Sequence, residues 1–432
     1  MKRRYFVCLN LILLTALNAV AAGETIIAIN HVMVIDDLVA SALRHNPELK
    51  FYEAEITAAR AAAKGAGKLA PPEFDASIGV KTTQDGANRV AGEGAAWSVG
   101  LRQPVEWPGR LGLRKAIANR DVALAELGLA SFRSTLAGKV RSTAHGLAVA
   151  QQRVAASRPV ANRLRELRDT LIARDPAGLT PLLEVRLIEA TEVKAEHAAA
   201  EAEHDAEHLA IELNYLRGEP PTTPVRVAEA PLQFGAAPAL HQLYAAAATN
   251  SFELRLRVAE FEQQGFKIEL AKNERFPAFT IGPVISEERA GDRERIVSLA
   301  LSAPLPFWQN NRGKVEFAEA RRVQAEAVLE NARRKLERDV ADYAHKYEHA
   351  LGVLGKWRAD SVHRFQEAAE LADRHYRLGA VAVSTYVELQ KQYVEAVEAL
   401  LDARIEALAA ATQLELLTGL KISVTTTKEV SK

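Results

Sequence analysis

The sequence predicts a mainly α-helical protein with a small transmembrane β part and two structural repeats per chain. We expect three chains to form a twelve-stranded β-barrel that continues as a long α-helical coiled-coil tunnel. A transition from strand to helix, WSVGLRQPVEWPGRLGLRKA from residue 97, has a counterpart in VSLALSAPLPFWQNNRGKVEFAEA from residue 297. Two further observations support this fold: only four strands are predicted, and a very long helix follows each transition.

The N-terminal residues 1–22 have the layout of a secretory signal peptide. Basic residues precede an apolar run from Tyr5 to Leu17, and cleavage is expected after Ala21 or Ala22. The apolar run is short for a transmembrane anchor, which is the alternative interpretation. Cys8 lies inside it, so the processed chain would have no cysteine for disulfides or thiolate metal sites.

The charge balance and hydropathy pattern exclude some functions. The chain has 55 basic and 55 acidic residues, and this balance does not favour binding to nucleic acid. After the signal peptide, no apolar run approaches the roughly 18 residues that a membrane-spanning helix needs. If the protein lies in a membrane, we expect it to cross as strands.

The processed chain is interpreted as a unit of about 200 residues that occurs twice. Pro104 is matched by Pro304, and Val140 is matched by Val340. The predicted segments are the first repeat at 34–218, an inter-repeat linker at 219–239, the second repeat at 240–419 and a C-terminal tail at 420–432.

Each repeat is predicted to begin with a helix that ends near prolines, which remove backbone donors. Two short strands follow, in which apolar and polar residues alternate with a period of two. The predicted helices are 34–69 and 240–273, the strands are 74–81, 97–102, 279–285 and 297–302, and the polar turns are 84–94 and 286–295.

The helices after the prolines are predicted to be long, at 108–173 and 311–377. At 1.5 Å per residue each would extend roughly 100 Å, which requires packing as a coiled coil. A glycine-containing turn and a return helix follow each one. On the last return helix an apolar stripe from Tyr386 to Leu408 recurs about every 3.67 residues, which favours a nearly straight helical wall.

Four strands per chain are too few to close a barrel, and lipid does not tolerate an open sheet edge. Three chains would supply twelve strands and twelve helical columns. The proline and tryptophan segment would then be the point where a barrel strand becomes a tunnel helix. Trp97, Trp107 and Trp308 are placed near this junction, at the membrane interface, with burial in a core as the alternative.

These features resemble the TolC-like outer-membrane efflux proteins over nearly the whole processed chain, including the helix start Asn46-Pro-Glu-Leu49. The resemblance implies a homotrimer in the outer membrane of a Gram-negative bacterium, in contact with its lipid and with a large periplasmic part. It implies partners as well: a periplasmic adaptor (membrane fusion) protein and an inner-membrane pump, expected to be of the RND type.

The segment from Gln103 to Arg110, QPVEWPGR, looks most like the CzcC-like branch, which is paired with heavy-metal cation pumps. The resemblance therefore implies passive conduction of heavy-metal cations from the adaptor and pump to the outside. A channel for drugs or for secreted proteins is the alternative within the family.

The resemblance also implies roles for residues at the helical tips and at a periplasmic gate. The tips would dock the adaptor, and acidic residues near them would form a cation-favouring ring in each trimer. The tip residues are Gly178, Leu179, Thr180, Leu378, Gly379, Ala380 and Val381. The gate residues are Glu184, Thr385 and Glu388, of which Thr385 departs from the acidic residue of the family. The alternative is that these glutamates are ordinary solvated helix residues.

His197, His204 and His208 share one helical face near Glu201 and are weak candidates for a zinc or copper site. A solvated Glu/Ala/His face is the favoured interpretation. No phosphate loop and no activated nucleophile is found, so neither catalysis nor a cofactor is expected. A soluble periplasmic coiled-coil protein and a metal-binding periplasmic protein remain as alternatives from other classes.

Overall fold

The structure is a computed structural model that describes residues 32–174, 182–228, 232–305, 311–358, 360–422 and 424–426. The predicted signal peptide, the first tip (Gly178, Leu179 and Thr180) and Trp308 lie outside these residues. The described part is mainly helical, as the sequence predicts. None of its helices is long and apolar enough to cross a membrane.

The elements alternate between helical segments and short runs of strand. The helices are α1 (Ile35–His45), α2 (Glu48–Ala66), α3 (Arg110–Arg174), α4 (Leu182–Arg217), α5 (Leu240–Asn250), α6 (Phe252–Asn273), α7 (Arg312–Leu354), α8 (Ser361–Arg377) and α9 (Val383–Thr418). The strands are β1 (Val32–Met33), β2 (Glu73–Gln84), β3 (Val90–Val105), β4 (Arg226–Val227), β5 (Leu232–Phe234), β6 (Phe279–Ala290), β7 (Asp292–Ser302) and β8 (Val424–Thr426).

The two short helices at the starts of the predicted repeats are each divided, where the sequence predicts one helix. The first divides at Asn46-Pro47, because proline lacks the N–H that a continuous helix needs. The second divides at Ser251, whose hydroxyl accepts a hydrogen bond from the Leu254 N–H and caps α6.

The two long helices differ from each other. α3 runs unbroken for 65 residues, about 100 Å, and includes Pro159. The prediction of an equally continuous helix at 311–377 is wrong, because α7 ends at Leu354 and α8 begins at Ser361. The break begins at Gly355, in a stretch where Gly352 also lowers helix propensity.

A four-stranded antiparallel sheet contains the predicted strands in the order β2-β3-β6-β7. The strands are longer than predicted, so the turns are shorter. The first turn covers only residues 85–89, and the predicted turn at 286–295 is almost entirely strand. Gly291 alone separates β6 from β7, with a φ of +109° that favours glycine.

Two hydrophobic clusters hold the helices together, one in each half of the chain. The first joins α1, α3 and α4 around Val140, and the second joins α5, α7 and α9 around Val340. Both valines are fully buried. The two residues that the sequence matches therefore occupy corresponding positions in the two clusters.

Candidate functional site

The four-stranded sheet has one polar and one apolar face, because side chains alternate along each strand. On the polar face Arg102 donates to Asp75 at 2.7 Å, and the hydroxyls of Ser77 and Ser98 lie 2.8 Å apart. Nearer the hairpin turns, the Lys81 ammonium lies 2.7 Å from Glu288 and 3.2 Å from Glu294. Charges on this face are therefore paired between the neighbouring strands β2 and β3 and, at Lys81, from β2 across β3 to β6 and β7.

The other face is apolar and exposed over most of its height. Cross-strand register places the residues of this face side by side in rows, such as Ile285 beside Val99 and Val297. Ile78 is 91% exposed, although it is an apolar residue on a well-formed strand. The exposed apolar residues of this face are Phe74, Ile78, Val80, Trp97, Val99, Leu101, Ile285, Val297, Leu299 and Leu301.

The strand-to-helix junction is held by the QPVEWPGR segment. The Gln103 amide donates to the Ala70 carbonyl at 2.8 Å, and the Trp107 ring stacks on Phe276 with centroids 4.6 Å apart. Arg110, buried at the start of α3, donates to the side chain and the carbonyl of Asn273 at 3.0 and 3.1 Å. These contacts tie the first strand-to-helix transition to the end of α6.

Trp97 does not lie at the junction, where the sequence placed it. It lies within β3, paired with Ile78 on one side and Glu287 on the other. Trp107 does lie at the junction. Trp107 therefore lies at the helical end of the sheet, whereas Trp97 lies about half-way along β3.

The second helical tip is a tight turn between α8 and α9. The Ala380 N–H donates to the His375 carbonyl and the Gly379 N–H donates to the Tyr376 carbonyl, both at 2.9 Å. This pair of bonds is a Schellman motif, and Gly379 supplies the left-handed residue with a φ of +73°. Leu378 is 81% exposed, and a Cβ built on Gly379 would meet no atom within 4 Å.

Below the tip turn lies a packed base, a buried cluster that joins two helical hairpins, α3 with α4 and α8 with α9. Val160, Ile188, Ala372 and Tyr386 contribute to one buried cluster from α3, α4, α8 and α9. Burial raises the pKa of the Tyr386 phenol, and Asp373 adds to the effect. The base is therefore rigid, while the tip residues above it stay exposed.

The predicted gate residues Glu184, Thr385 and Glu388 are all exposed on the single chain. The Glu388 carboxylate accepts one hydrogen bond, from the Gln392 side chain at 2.8 Å. Thr385 and Glu388 lie in the first two turns of α9, close to the tip. Their placement as a ring around an axis remains a prediction.

The three predicted histidines are exposed along α4. His197 Nδ1 lies 3.8 Å from the Glu201 carboxylate, a contact between neighbouring turns of one helix. Across the described residues, no group of three His, Cys, Asp or Glu side chains is arranged to hold a metal ion.

Two charged groups on the sheet were not identified from the sequence. One is Lys81 with Glu288 and Glu294 on the polar face. The other is a cluster of arginines around Glu287, described below. The charge-rich run EERAGDRER at 287–295 was interpreted as a turn, whereas strand alternation within it would have placed Glu287 on one face with Arg289, Arg293 and Arg295.

Comparison with known proteins gives a consistent result. Residues 243–420 match the family described as outer membrane efflux protein. The pyoverdine export outer membrane protein OpmQ of Pseudomonas aeruginosa is 26% identical over 400 residues, covering 87% of this chain and 83% of that protein.

Solved structures show the same fold over most of the chain. A membrane protein from Pseudomonas aeruginosa has a TM-score of 0.73 at 18% identity, covering 89% of this chain and 90% of that one. The outer-membrane channel OprN has a TM-score of 0.70 at 17% identity, with 89% of each chain covered. These structures show the fold of the chain, and the match of residues 243–420 to the outer membrane efflux protein family agrees with the predicted class of channel.

Proposed function

We propose that three copies of this chain form a passive conduit that carries a substrate of an inner-membrane pump across the periplasm and the outer membrane. The polar face of the β2-β3-β6-β7 sheet carries this proposal, because its paired charges suit a water-filled lumen while the opposite face suits lipid. In this arrangement each chain contributes four strands to a closed barrel of twelve, as two repeats.

The open edges of the sheet support the trimer. Among the described residues, β2 and β7 each pair with a neighbour on one side only, and unpaired backbone groups are costly in lipid. Pairing β7 of one copy with β2 of the next would satisfy both edges. The same copies would bring α3, α4, α7, α8 and α9 together as a periplasmic tunnel.

The tips are proposed as the docking surface for the periplasmic adaptor. Leu378, Gly379, Ala380 and Val381 form a compact turn whose only large exposed side chain is the Leu378 aliphatic group. A turn of this kind allows another helical hairpin to approach closely. Gly178, Leu179 and Thr180 are proposed as its counterpart in the first hairpin.

Heavy-metal cations are proposed as the substrate on the resemblance of the QPVEWPGR segment, and an RND-type pump as the partner. The contacts of Gln103, Trp107 and Arg110 hold the junction together, so they support the architecture more than the substrate. The relative that exports pyoverdine favours a siderophore as a second candidate.

Substrate choice is tested in a deletion strain complemented with this chain, grown with metal salts and with siderophore-dependent iron supply. Restored resistance to one or more metal salts is expected. Restored siderophore release without any change in metal tolerance would select the second candidate and contradict the first.

Docking is tested with Gly379→Arg, which places a long cation on the exposed turn. We expect efflux to be abolished while the oligomer still forms. Gly379→Ala is the matched control, because it carries the same left-handed strain of about 1–2 kcal/mol without the bulk, and it should retain efflux. Unaltered efflux in Gly379→Arg would rule out this docking surface.

A further inference from the structure

A cluster of arginines lies on the apolar face of the sheet, at the hairpin end. Arg289, Arg293 and Arg295 surround Glu287 and are called here the arginine cluster. Arg293 donates to Glu287 Oε2 at 2.6 Å and Arg295 to the same oxygen at 3.2 Å, and Arg289 donates to Oε1 at 3.0 and 3.2 Å. The Glu287 side chain is only 2% exposed, whereas each arginine is more than half exposed.

The register places this cluster on the outward face and not on the polar one. Glu287 lies opposite Arg295 and beside Trp97, and Arg289 lies directly opposite Arg293. The same face continues along β7 as Val297, Leu299 and Leu301. The polar-face residues Glu288 and Glu294 point the other way, towards Lys81.

The height of the cluster matches the boundary of a bilayer. From Leu301 to Arg293 the strand extends about 26 Å, or about 20 Å along the membrane normal at a tilt of roughly 40°, comparable with the apolar band of roughly 25 Å in outer-membrane barrels. The β6-β7 turn is at the opposite end of the sheet from the helices, which form the periplasmic part. In an outer-membrane barrel the arginine cluster would therefore lie towards the outer leaflet, with Glu287 and Arg295 level with Trp97, a residue type that favours the interface.

The charge of the cluster is not balanced within the chain. Arg289 and Arg293 are a directly opposed pair of like charges, which by itself destabilises a sheet. The single carboxylate of Glu287 accepts hydrogen bonds from three guanidinium groups, each of which has five N–H donors. Of the other described outward-facing residues near this end, Glu93 on β3 is the one that carries negative charge, so a positive excess remains.

We propose that the arginine cluster binds the phosphate groups of lipid headgroups in the outer leaflet of the outer membrane. Guanidinium groups match phosphate with two parallel hydrogen bonds, and Glu287 holds all three in place without exposing its own charge. The exposed apolar rows below the cluster would contact the acyl chains of the same lipid. This site rests on the outer-membrane location and not on conduction or on the substrate.

The test uses the full-length protein in detergent, with lipid A carrying two phosphates added and its retention measured by native mass spectrometry. Arg293→Gln with Arg295→Gln should weaken retention about fivefold for each arginine, or about 25-fold together. Lys81→Gln is the matched control, because it removes a positive charge at a similar height from the polar face. It should retain lipid A as the wild type does.

A second arm uses chemically dephosphorylated lipid A, which should bind weakly to the wild type and to the double variant alike. Equal retention of the two lipids by the wild type would overturn the proposal, as would an equal loss in Lys81→Gln. If the double variant fails to assemble, Arg293→Gln alone with a fivefold loss serves the same purpose, and unchanged retention there would also overturn it.

Discussion

The effect of a titratable side chain in this protein depends on whether the side chain is buried or exposed to solvent. His145 on α3 is half-buried. Burial and, to a smaller extent, the charge of Arg141 lower the pKa of its ring, Asp36 opposes both, and the net pKa is about 4. Glu388, by contrast, is exposed on the single chain and accepts one neutral hydrogen bond. The burial of His145 therefore affects the stability of the fold, whereas the effect of Glu388 on ion conduction depends on the assembly of several copies of the chain.

The stability of the protein should fall in mild acid because of His145. The folded state favours the neutral ring, so below the ordinary pKa of 6.5 the unfolded chain binds more protons than the folded one. The loss begins as pH falls through 6.5, reaches about 2 kcal/mol near pH 5 and levels off below pH 4. Thermal unfolding of His145→Gln from pH 7.5 to 5 should show a smaller decrease than the wild type.

The exposed His208→Gln variant on α4 is the control for this measurement, and its melting temperature should follow the wild type across the same pH range. Identical pH dependence in His145→Gln and the wild type would show that the buried ring does not contribute.

Glu388→Gln should lower cation selectivity in planar bilayers and relieve block by added divalent ions, because a ring of carboxylates in a narrow aperture favours cations. Glu184→Gln should act in the same direction, more weakly. Glu337→Gln on α7, an exposed residue far from the tip, is the charge-matched control. Wild-type selectivity and block in both Glu388→Gln and Glu184→Gln would assign these carboxylates to a solvated helix face.

At the scale of elements, the ends of helices decide where the chain turns. The Asn46 side chain donates to the Leu216 carbonyl at 2.9 Å near the end of α4, and Asn250 donates to the Thr418 carbonyl at 2.8 Å at the end of α9. A left-handed glycine follows each helix, Gly218 in the first case. Both helix ends are thus closed by a distant asparagine and a local glycine.

Gly218→Ala should destabilise the protein by about 2 kcal/mol or more. Its φ of +70° is unfavourable for alanine, and the added Cβ would lie 2.7 Å from the His45 carbonyl oxygen. Gly112→Ala within α3 is the control, since a Cβ there meets no atom within 4 Å and alanine favours helix by up to about 1 kcal/mol. Equal melting temperatures for the two variants would contradict this account.

At the scale of the whole molecule, a single chain leaves too much apolar surface uncovered to be the final state. Besides the exposed apolar face of the sheet, large apolar side chains on the helices α2, α4 and α7 are more than 60% exposed. Because exposed apolar patches mark interaction surfaces, these side chains are candidates for contacts between copies. These helix residues are Phe51, Leu183, Val193, Phe317 and Val323.

The whole-molecule prediction is a stable trimer in detergent, with no folded monomer at equilibrium, because the sheet edges and the exposed helical faces need neighbouring copies. Native mass spectrometry should give three times the mass of one processed chain. A monodisperse monomer with full helical and strand content would contradict the trimer.

The sequence by itself determined the strands, turns and helices that depend only on residues near one another in the chain. Alternation predicted the faces of the strands, prolines and glycines predicted most turns, and the change of pattern after Pro104 predicted a long helix at 108–173. It was wrong where a local signal was ambiguous: the charged run at 286–295 is strand, and the helix predicted at 311–377 breaks after Leu354.

Only the tertiary structure decided which distant residues meet. The pairing of β3 with β6 places Trp97 beside Glu287, half-way along β3 and away from the junction where the sequence placed it. It also brings Glu288 and Glu294 to Lys81 on the far side of β3. The physical reason is register: alternation within a strand gives each charge a face, but pairing between distant segments decides which charges stand at the same height, and no local pattern encodes that choice.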